Sequence, residues 1–567
     1  MILQALKEYY DRKTDLPRIG FEEKEIAFVV VLDVEGTPVA LEQTYEGEGK
    51  NRRAKKFLVP QAVKRTSGIA SNLLWDKPEY ALGINDSTEQ HRAFKEKINS
   101  LGELPDEGLR VVRVFLNTPD KLTLLGQRFN ESYQQLCESG ANLSFRLAGD
   151  ACLIVQREAV NKALQKTTGA DARHERCLIT GDDDAIEPTH TAIKGVRDTQ
   201  TSGANIVSFN AKAFCSFGKE QGSNAPVGRV AMFAYTTALN LLLSRDSRQK
   251  MQVGDATTVF WSAKETKFEQ DFIDFWGEGP KDNPDANTEL VKALLHAPRS
   301  GVLPEDAETR FYVLGLAPNN SRISVRFWWQ GTVNDMASCM RQHFTDVAIV
   351  HGPRDRDVLP LFNLLCSIAS QSKAENIPPN LAGDTMRAIL EGLPYPATLL
   401  QSAIRRNSAE QNVNYARAAL IKACLNRTFR SSTTNQQKEL CMSLDVSNTN
   451  AGYRLGRLFA ALERIQECAN PGINATIRDR FYGAASSTPT AVFANLLRLS
   501  KHHLAKIESA GLRVNFEKLC GEIVSEIPAS FPTHLSLSDQ GSFAIGYYHQ
   551  RQDFFTKKQE STDKEQP

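Results

Sequence analysis

Three short stretches hold side chains of the kinds that bind metals, phosphates or bases. In TGDDDAIEPTH, Asp182, Asp183 and Asp184 lie within ten residues of Glu187 and His190. Carboxylate oxygens are hard donors, so this set would suit magnesium and the phosphodiester chemistry of a metal-dependent nuclease. A solvated acidic loop explains the same run of charge. His174 with Cys177, and the neighbours His502 and His503, are too few at either place to define a metal site.

The second stretch, KNRRAKKFLVPQAVKR, holds seven cations and no acid: Lys50, Arg52, Arg53, Lys55, Lys56, Lys64 and Arg65. Cations interleaved with an apolar strand would share one exposed edge and meet phosphates there without reading sequence. The alternative is an edge strand that uses charge to block aggregation. The turn that follows, KRTSGIASN, arranges Thr66, Ser67, Ser71 and Asn72 about Gly68. An asparagine can read a base edge with two hydrogen bonds. In the third stretch, SFGKEQGSNAPV (216–227), Lys219, Gln221, Ser223 and Asn224 stand among two glycines. That composition suits contact with bases or a wedge into a duplex, and equally a polar cap over the preceding strand.

Familiar catalytic signatures are missing. Gly49-Lys50 and Gly218-Lys219 lack the upstream glycine and the following Ser/Thr of a phosphate-binding loop. Gly47 and Gly49 begin a dinucleotide fingerprint that Arg52 breaks, beside Glu46 and Glu48, which would repel a diphosphate. There is no G-x-S-x-G and no H-E-x-x-H. Ten cysteines are scattered without a C-x-x-C, as expected of small buried hydrophobes and not of a disulfide scaffold or a zinc site. No cofactor is expected.

The chain that must position these stretches has 567 residues, enough for two to four domains. With 41% hydrophobic and 24% charged residues and a mean hydropathy of -0.36, it reads as a water-soluble globular chain. No uncharged apolar run approaches about 18 residues. Lys7 and Glu8 interrupt the opening MILQALKEYYDRK too early for a secretory signal, so a cytoplasmic location is expected. The net charge is only +1, yet Gln401 to Ala510 carries fifteen Lys/Arg against seven Asp/Glu. Two regions are therefore basic inside a neutral protein.

Up to residue 352 short strand-like runs dominate. IAFVVVLDVEGTPVALEQ (26–43) predicts two strands with Glu35-Gly36 at the turn. Further strands are expected at RVVRVFL (110–116), CLIVQ (152–156), NIVSFN (205–210), TTVFW (257–261), RFYVLGLA (310–317), ISVRFWW (323–329) and DVAIVHG (346–352), with a turn-rich excursion at GEGPKDNPDANTE (277–289). From Arg354 the apolar spacing becomes helical. One helix buries Leu455, Leu458, Phe459, Leu462 and Ile465, with Arg454, Arg457 and Arg464 on its flanks. A second starts at Thr488-Pro489 and buries Phe493, Leu496, Leu497, Leu504 and Ile507. A third uses Phe516, Leu519, Cys520, Ile523 and Ile527, and a shorter fourth Phe543, Tyr547 and Phe554, before a frayed tail, KKQESTDKEQP. The expected fold class is α+β: a mixed α/β domain over residues 1–352, then an all-helical bundle over 353–567.

The ordered stretches FLVPQAVKRTSGIASNLLWD (57–76), CLITG (177–181), HTAIKGVRDTQTSGANIVSFNAKAF (190–214), SFGKEQGSNAPVGRVAMFAYTTALNLLL (216–243), LAPNNSRISVRFWWQG (316–331), NIPPNLAGDTMRAILEGLPYP (376–396), NYARAALIKACLNR (414–427), RLFAALERIQECANPGINATIRDRFYGAASSTP (457–489) and GYYHQRQDFF (546–555) carry a resemblance over nearly the whole chain. Through them the sequence resembles the Csd-type large-subunit family of the type I-C CRISPR surveillance complex, Cascade. The resemblance implies a non-catalytic subunit of an RNA-guided assembly, in which base pairing reads the target while this subunit recognises the short flanking motif in double-stranded DNA, aids strand separation and helps recruit a helicase-nuclease. The implied partners are target DNA, the guide RNA ribonucleoprotein, the backbone and small subunits and that nuclease.

On matching positions, Asn72, Ser71, Lys219 and Gln221 are the expected motif readers, and Arg52, Arg53, Lys55, Lys56, Lys64 and Arg65 the phosphate contacts. Arg454, Arg457, Arg478, Arg480 and Lys501 would line the displaced strand's path, with Tyr453 or Tyr482 either stacking on bases or buried in the core. The resemblance also suggests that a small subunit is made by internal translation. Met442 would release residues 442–567, and Lys438-Glu439 upstream must be encoded by purine-rich codons that suit a ribosome-binding site. An ordinary buried methionine is the alternative. The rival from another class is the nuclease built on Asp182, Asp183, Asp184 and His190.

Overall fold

Phe28–Leu32 (β2) is a run of five buried apolar residues, the pattern of a central strand covered on both faces. In the computed structural model it lies between Pro38–Gln43 (β3), antiparallel to it, and Leu143–Leu147 (β8), parallel to it, with Trp75–Asp76 (β7) beyond β8. Asp33 makes the expected turn, its Oδ1 accepting from the Glu35 and Thr37 amides at 2.9 and 2.8 Å. Two small antiparallel ribbons accompany the sheet: Phe21–Glu25 (β1) with Lys56–Pro60 (β6), and Tyr45–Glu46 (β4) with Arg53–Ala54 (β5). His174–Arg176 (β9) pairs with Asp183–Ala185 (β10). The structure describes residues 1–47, 52–63, 65, 68–167, 174–276, 291–293, 307–378, 380–432, 438–527 and 530–555.

The chain divides into two compact units that are discontinuous in sequence. The N-terminal unit takes residues 13–191 and 208–237, and the C-terminal unit residues 1–12, 192–207 and 238–567. The change of sequence pattern near residue 352 therefore marks a change of secondary structure inside the second unit. Helix Ile2–Arg12 (α1) belongs to the C-terminal unit, where its Arg12 is paired with the buried Glu269 at 2.7 Å.

Four expected strands are not strands. Glu107–Asn117 (α2) is a helix begun by Asp106, whose Oδ1 accepts from the Leu109 amide at 2.9 Å, a cap worth about 1 kcal/mol. Val111, Val112, Phe115 and Leu116 are buried at helical spacing, while Arg110 and Val114 are exposed. Periodicity and cap thus override the β-preference of three valines. CLIVQ supplies only a 3-10 turn, Ile154–Gln156. In NIVSFN, Asn205 makes one isolated bridge to Arg322. DVAIVHG begins as the end of helix Val333–Val347 (α4). The excursion 277–289 and the tail 557–567 lie outside the described residues.

The C-terminal unit contains an antiparallel sheet ordered Lys250–Val253 (β11), Ala256–Ser262 (β12), Arg310–Asn319 (β13) and Arg322–Thr332 (β14). Phe260, Phe311, Val313, Phe327 and Trp329 join one core with the helices that follow. Helix Arg229–Leu242 (α3) precedes this sheet in the chain, its residues to Thr237 belonging to the N-terminal unit and those from Ala238 to the other. The four expected C-terminal helices are present as Ala451–Ala469 (α6), Pro489–Lys506 (α8), Ala510–Ser525 (α9) and Leu537–Phe555 (α10), the last longer than expected, and Tyr415–Ser431 (α5) and Ile477–Ser487 (α7) are helices in addition. Helices α6 and α10 meet backbone to backbone. A Cβ on Gly456 would fall 2.0 Å from the Phe543 carbonyl, and one on Gly546 2.0 Å from that of Tyr453. The architecture is α+β.

Candidate nucleic-acid interface

The basic stretch forms the outer strand of a ribbon. Val59 and Pro60 of β6 are buried, whereas Lys55, Lys56 and Leu58 are exposed, as are Arg52 and Arg53. The Trp75 indole donates to the Pro60 carbonyl at 2.9 Å and the Gln156 amide to that of Leu58 at 3.1 Å, which fixes the strand. Topology changes the charge balance that the linear stretch suggests. Strand β1, FEEKE, sets Glu25 opposite Lys56 and Glu23 opposite Leu58, and Glu46 faces Arg53 across the β4–β5 pair. Among the described residues Arg53, Lys55 and Lys56 still form no ion pair and are exposed, the Lys55 ammonium lying 5.7 Å from the Phe57 ring centroid. Arg52 is held by the Tyr45 ring, 4.4 Å from its centroid, and lies 3.3 Å from Gln43 Oε1. A cavity of about 310 Å³ opens beside these residues, its lining including Glu25, Tyr45, Arg52, Arg53 and Lys77. Lys77 is a cation the linear reading missed, because a strand and a turn separate it from the basic stretch. Lys64, Thr66 and Ser67 lie outside the described residues.

The loop after β6 is closed on itself. Asn72 is buried, its Oδ1 accepting from the Val63 amide at 2.9 Å and its own amide donating to Asp76 Oδ2 at 2.9 Å. Ser71 is buried too and donates to the Asn72 carbonyl at 2.8 Å. Arg65 packs its guanidinium 4.0 Å from the Tyr80 ring centroid, donates to the Ala70 carbonyl at 2.7 Å and pairs with the buried Asp76. In this conformation Asn72, Ser71 and Arg65 brace the loop. The hydrogen bonds they make go to its backbone and to Asp76, which spacing along the chain does not reveal.

The 216–224 loop presents its side chains outward. Lys219 and Gln221 are exposed, and Asn224 is the clamp: its Nδ2 donates to the Lys219 and Gln221 carbonyls at 3.3 and 3.1 Å while its Oδ1 accepts from the Ser216 amide at 3.1 Å. Gly222 anchors the loop, donating to the Pro188 carbonyl at 2.9 Å where a Cβ would fall 2.3 Å from the Glu187 carbonyl. Three residues on, Thr191 Oγ1 lies 3.5 Å from Gln61 Nε2, directly after β6. The segment Glu187–Thr191 thus brings the two polar loops together within one compact unit.

The acidic set expected for a metal-dependent nuclease is not assembled. Asp184 is spent on backbone, Oδ1 accepting from the Ala185 amide at 2.8 Å and Oδ2 from that of Val230 at 3.0 Å, at the start of α3. Asp182 and Asp183 are exposed, Asp183 lying 3.9 Å from His174. Glu187 pairs with Arg229 at 2.6 Å. His190 is buried, 2.5 Å from the Tyr235 hydroxyl. Cys177 organises its turn: burial opposes its ionisation, but the amides of Gly228, Thr180 and Ile179 outweigh it and hold the thiol below its ordinary range. Among the described residues no three His, Cys, Asp or Glu side chains are grouped to hold a metal ion.

Of the five C-terminal cations, Arg480 and Lys501 are exposed. Arg457 is buried with its Nε 3.1 Å from Gln550 Oε1, and that burial lowers its pKa. Arg454 donates to the Asn448 carbonyl at 2.8 Å and lies 3.3 Å from the Glu526 carboxylate. Arg478 stands 3.8 Å from the buried Glu463. Tyr453 and Tyr482 are core residues, the former 3.0 Å from His549 Nδ1. Exposed cations that the sequence does not single out include Arg498 and Lys506, which share with Lys501 a helix, α8, that contains no acidic residue. Among the described residues no helix is long and apolar enough to cross a membrane.

No curated protein matches the chain. The family model of CRISPR-associated protein (Cas_Csd1) matches residues 6–555, nearly its full length. A match of that extent covers both units and every stretch that carried the resemblance. The chain therefore belongs to the Cas_Csd1 family of CRISPR-associated proteins, the large subunits of type I-C Cascade.

Proposed function

We propose that this chain, without an active site of its own, reads the short motif flanking a target in double-stranded DNA for an RNA-guided Cascade. In this reading it helps to part the strands and recruits the helicase-nuclease that cuts. The observation that carries the reading is that the cations of β5–β6 and the outward 216–224 loop belong to one unit, in which Glu187–Thr191 meets both Gln61, just after β6, and Gly222 of the loop. Arg52, Arg53, Lys55, Lys56 and Lys77 take phosphates and set register, which needs no base recognition. Lys219 and Gln221 reach base edges. Ser71 and Asn72 shape the neighbouring loop and meet an edge only when it opens, releasing the Val63 amide.

Arg480, Arg498, Lys501 and Lys506 form the path for the displaced strand, a sequence-tolerant electrostatic role. Residues 442–567, begun at Met442, supply a separately translated small subunit. In support, Glu463 binds the Tyr547 hydroxyl and Arg551 at 2.6 Å and the Thr476 hydroxyl at 2.7 Å, a buried polar network wholly inside that segment.

The test is capture of duplexes by the assembled complex with only the flanking bases varied. A good base contact is worth about 1 to 3 kcal/mol of discrimination. Equal affinity for every flanking sequence would reject motif reading and leave a scaffold.

A further inference from the structure

Phe217 contributes nothing to the fold. Its side chain is fully exposed, and its backbone holds φ +55°, a left-handed conformation that is a steric outlier for a bulky residue. Strain of this kind persists where surrounding structure over-determines it, and it clusters at functional sites. Here the determinants are visible. Asn224 ties Ser216, Lys219 and Gln221 by three hydrogen bonds on either side of Phe217, and Gly222 fastens the same loop to Pro188. The loop is built to project an aromatic ring into water.

The surroundings say what the ring meets. An aromatic that anchors a protein partner sits at the centre of a packed, water-excluding patch. Phe217 instead has Ser216, Gly218, Lys219, Glu220 and Gln221 beside it, all exposed on the loop, with Lys212 and Phe214 exposed on the turn before it. A ring projected from a braced backbone among cations and polar groups is the composition of a stacking platform for nucleic acid, on which any base is accepted because every base has a π-face. We propose that Phe217 stacks on an unpaired nucleobase of the target DNA, as a contact separate from motif reading. The inference rests on the DNA-binding role proposed above.

The assembled complex, carrying the full chain with guide RNA and companion subunits, is compared as wild type, Phe217→Ala and Phe217→Trp. The probes are target duplexes in which one abasic nucleotide is walked across each strand near the flanking motif. Phe217→Ala is expected to weaken capture of the intact duplex about tenfold, and Phe217→Trp to retain it. At one abasic position the wild type should lose as much, and Phe217→Ala nothing further. Unchanged capture by Phe217→Ala, losses that add to its loss at every position, or a Phe217→Ala complex lacking a companion subunit would each overturn the stacking assignment while DNA binding stands. A wild-type complex that captures no duplex would overturn both.

Discussion

The Asn72 side chain accepts a hydrogen bond from the Val63 amide at 2.9 Å, spanning the loop that joins β6 to β7. Asn72→Ala removes the acceptor and leaves a part-buried N–H unsatisfied, a cost of about 1 to 3 kcal/mol. The expected result is a lower thermal midpoint for the purified chain, together with weaker discrimination between flanking motifs by the complex. Weakened discrimination with an unchanged midpoint would mean that Asn72 touches a base directly.

Lys55 and Lys56 are exposed and hold nothing together that the fold requires. Substituting either with alanine should change stability by less than about 0.5 kcal/mol. Duplex affinity should fall similarly for all flanking sequences, and the slope of log K against log salt should decrease by about 1 for each phosphate that is no longer neutralised. The readout is a salt titration of duplex capture.

Glu463 is wholly buried and joins α6 to α7 and α10 through Thr476, Tyr547 and Arg551. Glu463→Ala leaves the buried Tyr547 hydroxyl without its acceptor and Arg551 with Glu467 alone, 3.1 Å away, and should destabilise by about 1 to 3 kcal/mol, the cost of an unsatisfied buried polar group. Denaturant unfolding of the full chain measures it.

Stability should fall on acidification. Burial depresses the pKa of His343 and of His549 from 6.5 to about 3, so both are neutral when folded at neutral pH. The unfolded chain then binds more protons than the folded one between these values. Stability is complete above about pH 6.5 and declines as pH falls toward 3, by at most about 1.4 kcal/mol per pH unit for each histidine. Urea midpoints at pH 7 and pH 5 test this, and replacing His549 with Gln should flatten the decline.

Met442 is exposed and its side chain is not needed by the core. Met442→Leu should leave the stability of the full chain unchanged and abolish a short second product on a gel. An unchanged band pattern would show that translation does not begin there.

Much of the C-terminal helical region was readable from the chain alone, because a buried face recurs every three to four residues whatever it packs against. Leu455, Leu458, Phe459, Leu462 and Ile465 are all buried in α6 as that spacing requires. β-Branched runs were less informative. RVVRVFL contains three valines yet is helical, since the cap at Asp106 and the packed face outweigh a propensity difference of about 1 kcal/mol.

Residue type and order determined the family, the periodic helices and the presence of a cationic strand, all properties carried by neighbours along the chain. Tertiary structure alone decided which charges are free. It placed FEEKE beside the cations, turned Asn72 and Ser71 inward, buried Arg457, and scattered Asp184 and His190 to separate backbone and hydroxyl partners. A polar side chain's role depends on which groups reach it first, and those groups come from segments whose proximity no local pattern encodes.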